Sequence, residues 1–128
     1  MIGLYLNSNP DLADVSAVRL LPGLQGLYLQ HCGIRKLPDL RGLRRLLVLD
    51  VSYNPLGPKA GGTRANPWAR GRGLPEWLGE VGGVGEFWCA HCGLNSLPSS
   101  LAAWGGIARF ELTGNALRDV PDAMRRWA

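Results

Sequence analysis

The sequence repeats itself, and the repeat constrains the fold more than any other feature. Leu24-Gln25-Gly26-Leu27-Tyr28-Leu29-Gln30-His31-Cys32-Gly33-Ile34 aligns with Leu46-Leu47-Val48-Leu49-Asp50-Val51-Ser52-Tyr53-Asn54-Pro55-Leu56. Apolar residues recur at repeat positions 1, 4, 6 and 11, and position 9 is Cys or Asn. Val84, Phe87, Cys89, Cys92 and Leu94 fit the same frame, as do Ile107, Phe110, Leu112, Asn115 and Leu117. Met1, Leu4, Leu6 and Asn9 form a first copy, with one extra residue before Leu12. No copy can bury its apolar face alone, so such a chain must stack its copies into an elongated array.

Each copy carries its own local instructions. Alternation at positions 4 to 6 has the period of a strand, so positions 4 and 6 point inward and positions 3, 5 and 7 outward. Asn at position 9 (Asn9, Asn54, Asn115) ends the strand and can satisfy backbone groups in the turn. Cys32 and Cys92 replace it in the second and fourth copies. An apolar-proline pair follows at Leu37-Pro38, Leu74-Pro75, Leu97-Pro98 and Val120-Pro121, with Val15 alone in the first copy. Proline there stiffens the return and forbids a regular strand. Gly33, Gly57, Gly93 and Gly114 are placed to allow tight reversals near the strand ends.

This pattern resembles the leucine-rich-repeat family, in the version that reads LxxLxLxxNxLxxLPxxLxxLxx, and the resemblance covers essentially the whole chain. It implies an α/β-class right-handed solenoid: a short curved parallel sheet with one strand per repeat, and an irregular or short-helical convex side. Repeats are expected at 1–23, 24–45, 46–83, 84–106 and 107–128, as one domain over 1–128. The family's usual role implies a non-enzymatic module for protein–protein interaction.

The third copy is longer than the others because of an insertion over 57–73, which holds Lys59, Arg64, Arg70 and Arg72 and no acid. The rest of the chain is neutral, so the formal charge of +4 resides in this segment. Its Gly, Pro and Arg content reads as an irregular loop. Loops of this length are uncommon and tend to be functional or disordered. One reading is a tolerated insertion; another is a basic flap beside the strand face, with Trp68 as an anchor. Arg64, Trp68, Arg70 and Arg72 are its candidate contacts, and an anionic ligand or nucleic acid its alternative partner. The spacing of a phosphate-binding P-loop is absent.

Other function classes are disfavoured. No apolar run approaches the ~18 residues of a membrane span, and the N-terminus has no basic-then-apolar leader. Three cysteines, an odd number, argue for a reducing, cytoplasmic setting rather than a disulfide framework. The excess of Arg over Lys, with much Gly, Ala and Trp, points to a GC-rich, bacterial genome. Cys89-Ala90-His91-Cys92 has the spacing of a metal or redox motif, but the repeat gives Cys89 an inward position and Cys92 the turn position. No cofactor or metal is therefore expected. His31 and His91 share position 8 and could read as a pH-sensitive or catalytic pair; no nucleophile with an orienting carboxylate accompanies them. Neither end shows a polar cap, which suggests self-association, a capping partner or a place in a larger assembly.

The outward rows carry side chains that folding does not require. Tyr5, Tyr28, Asp50, Trp88 and Glu111 occupy position 5, Glu86 lies in position 3, and His31, Tyr53 and His91 in position 8. Tyr and Trp are enriched in interface hot spots. These nine residues are the expected partner-binding surface, with the acids selecting a basic region of a protein or peptide. Most arginines map to the return segments among acids, so a continuous nucleic-acid track is not expected.

Overall fold

The computed structural model describes residues 2–61 and 70–127, the side chain of Arg126 excepted. Two of the loop candidates, Arg64 and Trp68, lie outside the described residues. Five three-residue strands follow the repeat frame: β1 Gly3–Tyr5, β2 Gly26–Tyr28, β3 Val48–Asp50, β4 Glu86–Trp88 and β5 Arg109–Glu111. They form one parallel sheet in the order β1-β2-β3-β4-β5. The register pairs equivalent positions throughout, for example Tyr5 with Tyr28, Asp50, Trp88 and Glu111 in succession. Sequence neighbours being sheet neighbours is what stacking of successive copies requires.

The inward rows make the core. Leu27, Leu49 and Phe87 from position 4, and Leu29, Val51 and Cys89 from position 6, are fully buried, while Leu4, Leu6, Phe110 and Leu112 of the end turns are half-buried. Burying one such leucine contributes about 1.5–3 kcal/mol, so each inner turn is held by its two neighbours and each end turn by one. Toward β5 the core becomes aromatic: Phe87 packs on Phe110 at 5.5 Å, and Trp127 meets Phe110 edge-on at 4.9 Å.

The proline pairs act at the start of the return segments. Short 3-10 turns occupy Ser16–Leu20, Leu78–Glu80, Ser99–Ala103 and Asp122–Trp127. The carbonyl at position 15, from Val15, Pro98 or Pro121, accepts the first of their bonds, and Pro75 does so in the third turn. Proline lacks a donor but has a carbonyl, so it can open such a turn without leaving an orphan N–H.

Position 9 locks each turn to the one before it. The Asn54 amide donates to Leu29 O at 2.7 Å, and also to Val51 O and Ser52 O within its own turn. Asn115 donates to Cys89 O at 2.7 Å and to Leu112 O. The cysteines reproduce the cross-turn bond with a thiol: Cys32 Sγ to Leu6 O at 3.3 Å, and Cys92 Sγ to Val51 O at 3.2 Å. The acceptor is always the position-6 carbonyl of the preceding turn. Asparagine also receives from that turn, since Ile34 N and Leu94 N donate to Asn54 Oδ1 and Asn115 Oδ1.

The expected turn glycines divide into two kinds. Gly93 and Gly114 have positive φ and serve as reversals. Gly33 and Gly57 do not; they are glycine because backbone passes against them. A Cβ on Gly33 would stand 2.8 Å from Pro10 O, and one on Gly57 would strike the Gly93 carbonyl.

Candidate functional site

The outward rows form two aromatic ladders. The first lies on the sheet. Tyr5 and Tyr28 stack with centroids 4.3 Å apart and planes inclined by 2°. Each ring folds back over the glycine two residues earlier in its strand: a Cβ on Gly3 would lie 2.9 Å from Tyr5, and one on Gly26 2.8 Å from Tyr28. Glycine at position 3 is thus the condition for the tyrosines to take this pose. Partial burial and the neighbouring Tyr5 hydroxyl push the Tyr28 phenol up from its ordinary pKa.

The second ladder runs along the ends of the strands. Tyr53 is sandwiched between His31, at 4.3 Å, and His91, at 4.9 Å. These three residues, with Ser8, have φ between 53° and 64°. Non-glycine residues in the left-handed region are uncommon, carry strain and cluster at functional sites. Gly114 continues the row, and a Cβ there would strike the His91 imidazole, so that ring lies across the bare backbone of the fifth turn. His31 and His91 are therefore not a facing pair; Tyr53 separates them.

Beside this ladder the beginning of the insertion folds down onto the fourth turn. Gly57 N donates to Cys92 O at 2.9 Å and Lys59 N to Gly93 O at 2.8 Å. The result is an open groove of about 500 Å3 lined by Pro10, His31, Tyr53, Lys59, His91 and neighbouring backbone. The insertion thus contributes to the strand rim through Lys59, which belongs to the segment's charge but was not among its candidate contacts.

The acidic candidates are less available than their positions suggested. Asp50 is only 6% exposed; its carboxylate accepts from the Gln30 amide and from Ser52 N at 3.1 Å. It orders Gln30 rather than offering a free charge, because position 5 of the middle turn has neighbours on both sides. Glu111 accepts from the Thr113 hydroxyl and amide, which lowers its pKa, and Arg109 adds to the effect. Glu86 is half-buried in the position-3 row between Val48 and Arg109. Trp88 is half-buried, and the Arg109 guanidinium sits 4.6 Å from its ring centre, a cation–π contact. Arg109 was not singled out because its partner is on another strand; the shared register of positions 3 and 5 was the available signal.

Cys89 and Cys92 are fully buried, as is nearly all of Cys32, and all three are free thiols. Burial pushes the Cys89 thiol well above its ordinary pKa, with Cys92 beside it. Among the described residues no cluster of His, Cys, Asp or Glu is arranged to hold a metal ion, and no helix is long and apolar enough to cross a membrane.

Arg70 and Arg72 are exposed at the far end of the insertion, away from both ladders. They line a second groove, of about 460 Å3, with Arg35, Lys36, Leu37, Leu74, Pro75 and Trp77. Trp77 and four cations therefore share one groove.

The sheet order, register and turn locks are those of a known architecture. The chain is a leucine-rich-repeat solenoid. A leucine-rich-repeat protein from Leptospira interrogans is similar over 99% of this chain, with a TM-score of 0.81 and 20% identity. An internalin from Listeria monocytogenes is similar over 100% of it, with a TM-score of 0.77 and 14% identity. Internalin C2 from the same organism is similar over 94%, with a TM-score of 0.69 and 20% identity. The chain spans 29%, 33% and 48% of those three proteins' lengths. No family model and no curated protein matches the sequence.

Proposed function

We propose that this solenoid is a non-enzymatic protein-interaction module that binds an extended protein or peptide segment across its outward strand face. The observation that carries the reading is the pair of aromatic ladders. Tyr5 is 64% and Tyr53 44% exposed, and exposing rings at such levels does nothing for the core. The glycines beneath Tyr5 and Tyr28, and the left-handed backbone beneath His31, Tyr53 and His91, hold these rings in place. Pre-positioned rings lose little entropy on binding, which is why Tyr and Trp serve as anchors.

The partner's contacts fall on Tyr5, Tyr28 and Trp88 along the sheet and on Tyr53, His31 and His91 along the rim. Glu86 supplies the acid that selects a basic group, with Asp50 and Glu111 acting as positioning residues.

The test uses a displayed random-peptide library selected on the wild-type chain. Selected peptides are then titrated against the Tyr28→Ala/Trp88→Ala double variant. Binding is expected to weaken at least about 30-fold, or about 2 kcal/mol. Peptides that bind both proteins equally well would reject this face as the site.

A further inference from the structure

The groove on the return side lies apart from the strand face and has its own chemistry. Two glycines build it. Gly71 passes so close to the second and third turns that a Cβ would strike the carbonyls of Arg35 and Leu56. Gly73, at φ +112°, donates its N–H to Leu56 O at 2.8 Å. These contacts fix Arg70 and Arg72 beside Arg35 and Lys36, residues more than thirty positions earlier in the chain.

All four cations are exposed, and none of the groove's described lining residues is acidic. Among the described residues, none of the four makes a salt bridge; the two ion pairs there are both made by Arg41, with Asp39 and Glu80. Like charges held together without counter-charge repel one another, and the repulsion is relieved when an anion binds.

The groove is not uniformly polar. Its wall includes the buried side chains of Leu37 and Leu74, with Pro75 and half-buried Trp77. Arg41 covers part of Trp77, its guanidinium 5.6 Å from the ring centre. Among the described residues the positive patch ends on one side, where the adjoining hollow brings in Asp14 and Asp39. A nucleic-acid site would extend the cations into a track and leave rings open for base stacking. A bounded patch with an aliphatic wall instead suits spaced carboxylates interleaved with aliphatic side chains.

We propose that this groove is a second binding site, for an acidic peptide segment whose carboxylates pair with Arg35, Lys36, Arg70 and Arg72 while apolar side chains rest on Pro75 and the uncovered part of Trp77. Arginine forks match carboxylates bidentately, so the site distinguishes charge and spacing together.

The experiment titrates a fluorescent peptide of alternating Glu and Leu into the whole chain by anisotropy, at about 0.02 M and 0.15 M salt. Binding is expected, weaker at the higher salt. It should fall about tenfold or more when Gln replaces Glu in the peptide, and likewise in the Arg35→Gln/Arg72→Gln variant, where two charge-assisted pairs are lost. The Tyr28→Ala/Trp88→Ala variant should bind this peptide as the wild type does, which separates this site from the strand face. If the Arg35→Gln/Arg72→Gln variant loses its folded circular-dichroism signal, Lys36→Gln with Arg70→Gln carries the same test from exposed positions. No binding at about millimolar peptide, equal binding by wild type and variant, or tighter binding of a single-stranded oligonucleotide would each overturn the proposal.

Discussion

The two aromatic ladders reach similar ring stacking by different physical routes. On the sheet, Tyr5 and Tyr28 sit on ordinary strand backbone, and the missing side chains of Gly3 and Gly26 make room for their rings. At the rim, the backbone itself is unusual: His31, Tyr53 and His91 are held in the left-handed region, and the position-9 side chains beneath them satisfy the turn. One ladder depends on space, the other on conformation. A space-dependent ladder can be disturbed at little cost to folding, whereas a conformation-dependent one shares its support with the solenoid.

The largest effect should come from removing that support. Asn54 is buried and serves Leu29, Val51 and Ser52 as donor and Ile34 as acceptor. Asn54→Ala leaves Leu29 O and Ile34 N without a partner, while Val51 O and Ser52 O keep Cys92 Sγ and His31 N, a loss on the order of 3 kcal/mol. Cys92→Ala, which deletes thiol bonds to Val51 O and Ala90 O, should cost clearly less, about 1–2 kcal/mol including the small cavity. Urea midpoints would compare them. Equal losses would mean that asparagine's extra bonds do not support the rim, and the contrast between the ladders would fail.

A smaller effect should follow from adding one methyl group beneath each ladder. In Gly26→Ala the atoms nearest the new Cβ all belong to the Tyr28 ring, which can swing away, so stability should change by less than about 1 kcal/mol. The Tyr5–Tyr28 contacts should disappear from NOE spectra. In Gly114→Ala the Cβ meets His91, and the residue must also hold a φ of +78°. That variant should lose about 1–2 kcal/mol. If Gly26→Ala proves the more damaging of the two, the sheet ladder is structural rather than a free surface.

How much of this was legible beforehand depended on whether sequence distance mattered. The strand frame, the inward rows and the role of Cys32 and Cys92 follow from a period of two inside a repeat, so they could be read directly. The left-handed row could not, because the residues that carry it are Ser, His and Tyr, with glycine only at Gly114. Asp50 looked like an available acid because its strand position faces outward; the Gln30 amide that occupies it comes from the adjacent turn. The return-side groove was hidden for another reason. The insertion breaks the register, and the backbone contacts of Gly71 with the second and third turns and of Gly73 with the third set Arg70 and Arg72 beside Arg35 and Lys36.

The smallest expected change in stability is also the sharpest test of the rim. Tyr53 is 44% exposed with φ +60°, so its ring adds little to the core while its backbone carries left-handed strain. Tyr53→Gly removes both ring and strain. Glycine in the left-handed region recovers about 1 kcal/mol, which offsets the lost stacking with His31 and His91, worth about the same. The urea midpoint should therefore stay within about 1 kcal/mol of wild type. Affinity for selected peptides should nonetheless fall about tenfold, because the anchor between the two histidines is gone. Tyr53→Val keeps an apolar side chain but puts a β-branched residue where φ is positive, so it should lose stability as well as affinity. If Tyr53→Gly binds as tightly as wild type, the rim ladder is only a way of ending strands, and the partner's contacts lie on the sheet ladder alone.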